Sequence, residues 1–96
     1  MSLEIRWTEP AWLSLAEVLD YTQLMMDGVR RISRSPHMAT VEPYSVKVGV
    51  EMRGYLVIPR IKIIYSVDEE AVNIEYIKNT FMSERTMLTR MGYFFD

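Results

Sequence analysis

The sequence contains no cysteine and a single histidine, His37. The first absence excludes disulfides and thiolate metal sites, and it fits a reducing, cytoplasmic setting. The second excludes metal sites built from clustered histidines. There is no Gly-rich phosphate loop, no Ser-His-Asp set and no carboxylate pair at a readable catalytic spacing, so no cofactor is implied. No apolar run approaches the roughly 20 residues that span a bilayer, and the opening Met-Ser-Leu-Glu carries no signal-peptide pattern. A net charge of −2 and a pI near 5.4 exclude a global nucleic-acid footprint and leave only a local basic patch.

What is present is the composition of one small globular domain. Of 96 residues, 49% are hydrophobic and 25% charged, enough apolar surface for one core and little to spare. Residues 3–7 alternate, with Leu3, Ile5 and Trp7 on one side and Glu4 and Arg6 on the other, the pattern of a half-buried strand. Thr8-Glu9-Pro10 is a compact helix start: a capping hydroxyl, an acid at the positive helix end and a proline in the first turn. Trp12, Leu15, Ala16 and Leu19 then recur at helical spacing, which predicts an apolar stripe facing the core. Asp27-Gly28 is the available breaker, so the spacing predicts a helix over 9–26 and a short second one over 28–35, closed by Pro36. A single helix kinked at Gly28 is the alternative.

The next segment reads as loop, and the alternation of Val46, Val48 and Val50 predicts a short edge strand. Three stronger strand signals follow at 54–58, 61–67 and 71–77, separated by Pro59-Arg60 and Asp68-Glu69-Glu70, an antiparallel meander. Ile61, Ile63, Tyr65 and Val67 share one face of it, and Val72, Ile74 and Tyr76 are read as another such row. Ser83 caps a last short helix. The order is that of an α+β domain: an N-terminal strand and a helical pair packed on a small antiparallel sheet, with a short C-terminal helix. The expected core joins Trp12, Leu15 and Leu19 to Ile61, Ile63, Tyr65 and Ile74.

Basic residues gather at Arg30, Arg31 and Arg34 and at Lys47, Arg53, Arg60 and Lys62. On a sheet face, Arg53 and Lys62 are suited to holding phosphate, while their mixture with acids fits a solvated surface. His37 follows a proline in a loop, where packing is expected of it. The tyrosines and methionines are read mostly as core.

Four stretches in this order resemble the RelE/ParE superfamily of bacterial toxins: "IRWTEPAWLSLAEVLDYT", "SPHMATVEP", "MRGYLVIPRIKIIYSVDEEAVNIEYI" and "KNTFM". The resemblance spans nearly the whole chain. It implies the toxin of a type II toxin–antitoxin, or plasmid stabilisation, system, cytoplasmic and neutralised by a cognate antitoxin. ParE-like members bind DNA gyrase; RelE-like members cut messenger RNA on the ribosome. Carried over by position, Arg53 and Lys62 match the basic residues of the RNA-cutting set, with Tyr93 as its candidate C-terminal tyrosine. Phe81 stands where those relatives carry an arginine, so the resemblance favours a docking toxin over a nuclease, with an inactive antitoxin-binding remnant as a third expectation. The segment "LMMDGVRRISRS" resembles only the latter half of the relatives' second helix. A shortened helical pair is expected to expose Met25, Met26 and Val29, beside Arg30, Arg34 and the tail Tyr93, Phe94 and Phe95, as a surface for partner binding or self-association.

Overall fold

In the computed structural model, which describes residues 3–94, the chain is an α+β domain. Strand β1 (Glu4–Trp7) leads into α1 (Glu9–Leu15), a 3-10 segment (Ala16–Tyr21) and α2 (Thr22–Arg34). Strand β2 (Thr40–Val41) and the one-turn helix α3 (Ser45–Val48) precede the meander β3 (Arg53–Ile58), β4 (Ile61–Val67) and β5 (Ala71–Asn79). Helix α4 (Glu84–Arg90) closes the described chain. The sheet order is β1-β5-β4-β3-β2; β1 joins the meander parallel to β5, and the other pairs are antiparallel. Among the described residues, no helix is long and apolar enough to cross a membrane.

The opening strand and helix are joined through the edge of β5. β1 pairs with β5 only as far as Trp7 opposite Ile74, and beyond that rung α1 takes over. The Thr8 hydroxyl donates to the Ile74 carbonyl at 3.0 Å and accepts from the Ala11 amide at 3.3 Å. One turn on, buried Ser14 accepts from the Ile77 amide at 2.9 Å and donates to the Ala11 carbonyl. The helix cap and the sheet edge are thus satisfied by the same side chains.

The helical segment breaks at Val18, whose backbone (φ −132°, ψ 33°) leaves the helical region, and not at Gly28 as the sequence suggests. The break turns half-buried Val18 onto the core and throws Leu19 outward, 62% exposed. Trp12 is also outside the core, 53% exposed and stacked on Trp7 with ring centroids 4.7 Å apart. Ala11, Ser14 and Leu15 form the buried face instead. Gly28 lies inside α2 because the helix crosses the sheet closely there: a Cβ at that position would stand 3.0 Å from Tyr55 Cε1 and 3.1 Å from Ile63 Cδ1. Met25 and Val29, expected at the surface, point into that contact and are buried; Met26 is half-buried.

Two cores result, one on each face of the sheet. Leu15, Met25, Ile32, Ile63, Tyr65 and Ile74 belong to the helix-side core. Tyr76 does not share their face, because Ile64 pairs with Tyr76 while Tyr65 pairs with Ile74. The extra residue, Glu75, is a β-bulge that reverses the alternation. Tyr76 therefore packs with Tyr44, Met52, Ile64, Met87 and Leu88 in a second core, under α3 and α4. The Val46–Val50 stretch is not a strand: Ser45 exchanges hydrogen bonds with Met52 (2.8 and 3.1 Å), and Gly49 ends α3 with φ at +76°, a conformation natural to glycine.

Ser14→Ala should cost about 1–3 kcal/mol, because the buried Ile77 amide loses its acceptor; the denaturant midpoint measures this. A second expectation concerns Tyr44, whose buried hydroxyl has no hydrogen-bond partner among the described residues. Burial, helped by the charges of Glu42 and Glu84, pushes its pKa well up. With the unfolded phenol titrating near pH ~10, the stability tied to neutral Tyr44 is complete below that pH and falls as pH rises past it. Tyr44→Phe should raise stability by about 1 kcal/mol and flatten the alkaline loss, read from denaturant melts across that pH range.

Candidate functional site

Basic side chains on a sheet act together only if strand parity brings them to one face. Lys62 on β4 lies opposite Leu56 and Lys78, on the face that carries α3 and α4. Arg53 on β3 lies opposite Tyr65, whose ring belongs to the helix-side core. Arg53 and Lys62 are therefore on opposite faces. The cause is a register shift between Leu56 and Ile58. Continued without it from the Ile58–Ile61 pair, the ladder would set Arg53 opposite Ser66, on the face of Lys62. The bulge at Val57 turns it away.

Each of the two cations is also engaged internally. Arg53 donates from Nη1 to the carbonyls of His37 (3.1 Å) and Ala39 (2.8 Å) and from Nη2 to Glu51 (2.9 Å). It ties the segment after α2 to the sheet, where the Tyr65 hydroxyl also donates to the Pro36 carbonyl at 2.7 Å. His37 contributes to that junction through its carbonyl, while its side chain is exposed. Lys62 Nζ is 2.9 Å from Glu42 Oε1, and both side chains are mostly sheltered, 29% and 13% exposed. Gly54 makes room for the pair: a Cβ there would overlap the Glu42 carboxylate and lie 2.7 Å from Lys62 Cδ. Lys78, a like charge, stands opposite Lys62 across the ladder, and the Glu42 carboxylate offsets the repulsion between them.

The remaining expected site residues are dispersed. Tyr93 is half-buried against the second core, and burial, followed by the Glu75 charge, raises its pKa. It thus lies on the face of Lys62, beside a carboxylate that opposes a phosphate. Phe81 is 80% exposed just past β5, its amide donating to Asn79 Oδ1 at 2.9 Å. Arg30 pairs with Asp27 at 2.6 Å; Arg34 and Phe94 are exposed. Phe95 lies outside the described residues.

The exposed apolar residues of the helical half are Trp12, Leu13, Leu19 and Leu24, where Met25 and Val29 were expected. A pocket of about 210 Å³ opens beside them between α1 and α4, lined by Pro10, Leu13, Ser14, Glu17, Tyr76 and Arg90. Arg90 spans its mouth through long contacts to Tyr76 (3.3 Å) and Glu17 (3.4 Å). The signal for this surface was Leu13, an apolar residue off the predicted stripe.

Searched against models of known families and against curated proteins, the chain matches none.

The Glu42–Gly54–Lys62 contact is testable. Gly54→Ala should destabilise by about 1–3 kcal/mol through overpacking. In a double-mutant cycle with Glu42→Ala the penalty should shrink, because the displaced carboxylate is gone; additive losses would mean that Glu42 does not occupy this space.

Proposed function

We propose that this chain is a docking toxin of the RelE/ParE type, acting by binding a cellular target and held in check by a cognate antitoxin. The sequence resemblance supplies the class, and the α+β architecture is compatible with it. The observation that favours docking over RNA cleavage is the separation of Arg53 from Lys62 by the β3 bulge. Phosphodiester transfer needs cationic groups converging on one phosphate and a proton donor beside it. Here one cation is bound by main-chain carbonyls, the other is neutralised by Glu42, and Tyr93 lies near Glu75. The exposed Phe81 adds apolar surface and no charge.

Inducible expression in bacteria tests this reading. Growth should arrest, the arrest should persist in Lys62→Ala, and co-expression of a cognate antitoxin should relieve it. Ribosomes programmed with a defined message and given the purified protein should yield intact message. Codon-specific cuts that vanish in Lys62→Ala would replace the docking toxin by a nuclease, and antitoxin binding without arrest would leave only the remnant.

A further inference from the structure

The segment that carries α1 has charge of one sign, and the one cation beside it in the pocket lining is Arg90 of α4. From Trp7 to Val29 there is no Lys, Arg or His, while Glu9, Glu17, Asp20 and Asp27 give a formal −4 (four acids, no bases). The whole chain is only −2, so this segment is the acidic part of the molecule. Within it, Trp12, Leu13 and Leu19 are 53%, 66% and 62% exposed. Ala16 is exposed between them, one turn from both Trp12 and Leu13, and so small a side chain leaves a notch in the helix surface. Leu13 also forms one wall of the pocket between α1 and α4.

We propose that α1 and the 3-10 segment form a docking surface for a basic amphipathic helix of a partner protein. A ridge of the partner helix seats over Ala16, between Trp12 and Leu13, as ridges seat in grooves when helices pack. One apolar anchor enters the pocket. Its volume of about 210 Å³ is ample for a branched or aromatic side chain, since a cavity of roughly 150 Å³ takes a benzene. Lysines or arginines flanking that anchor face Glu9, Asp20 and Glu17. The Glu17–Arg90 contact is 3.4 Å long between half-exposed side chains, so a partner cation can compete for Glu17. Charge decides against the other occupants. A second copy meeting this face symmetrically would set the acids against their own images, and an anionic membrane would repel them.

The two tryptophans of the chain, Trp7 and Trp12, are stacked on this surface and report on it directly. The probe is a synthetic amphipathic helix of about 18 residues, long enough to be helical, with leucines on one face and lysines on the rest. It should change tryptophan emission saturably, and the same peptide with glutamates for lysines should bind at least about tenfold more weakly. Leu13→Ser should weaken the lysine peptide about tenfold, and Glu9→Lys with Asp20→Lys, which brings the segment from a formal −4 to 0 (two lysines, two acids), should abolish the preference for lysine over glutamate. All three positions are exposed, and circular dichroism checks that each variant is folded. No binding, equal binding of the two peptides, or indifference to Leu13→Ser would overturn the proposal. So would a dimer in sedimentation that Leu13→Ser dissolves, which would assign the surface to a second copy. The surface does not depend on the toxin reading: growth arrest without peptide binding would remove this proposal and leave that reading intact.

Discussion

Backbone amides and carbonyls that leave water need partners, and β5 presents a row of them that β1 is too short to cover. Everything on the helical side follows from how that edge is completed. β1 ends at the Ile74 rung; the Thr8 hydroxyl then donates to the Ile74 carbonyl, and the Ser14 hydroxyl accepts from the Ile77 amide. This fixes α1 against β5 and accounts for the tight junction of strand and helix: a longer connection would carry Thr8 away from the edge it satisfies. With α1 anchored, Ala11 and Leu15 are set on the core, Trp12 and Leu13 must face outward, and the chain has to turn before α2 can cross the sheet. The turn comes at Val18, and the crossing is close because Gly28 carries no side chain.

The same edge explains why the bulge at Glu75 is tolerated. In an interior position an extra residue would leave backbone groups of two neighbouring strands unmatched. Here one neighbour is a helix with adaptable hydroxyls. The reward is Tyr76 on the opposite face, where it closes the second core and receives Arg90 on its hydroxyl. Without that second core, α4 would have little apolar surface to pack on.

Features set by local chemistry were legible in the sequence. The Thr8 cap, the Ser83 cap, the meander and the inward face of β4 are all where their residues place them. Features set by tertiary fit were not. Val18 breaks the helix with no glycine or proline to mark it, since the break is imposed by core packing and by the anchoring of α1. Gly28 resembled a breaker, but a glycine also permits close approach, and sequence alone does not distinguish the two uses. Val46, Val48 and Val50 alternate as a strand would, yet Ser45 and Gly49 close the backbone into a turn of helix. Met25 and Val29 were read as exposed because a shortened helical pair was expected to lack cover, whereas the sheet itself covers them.

The candidate site was the least legible part, for a reason that lies in sheets generally. Alternation tells which residues of one strand share a face, but placing residues of two strands on one face requires the register between them. For Arg53 and Lys62 that register depends on a single residue. Counted straight through the Pro59-Arg60 turn, the ladder brings Arg53 to the face of Lys62; with Val57 bulged out, it pairs with Tyr65 and leaves that face. No property of Arg53 or Lys62 signals the difference, since both are basic strand residues in either register. What does respond is their surroundings: carbonyls from the α2–β2 segment collect around one, and Glu42 folds over glycine onto the other. A pair of cations that must converge on one phosphate cannot be arranged this way without a different β3 register. The bulge therefore does more than bend β3; it turns a potential phosphate clamp into two independent structural contacts.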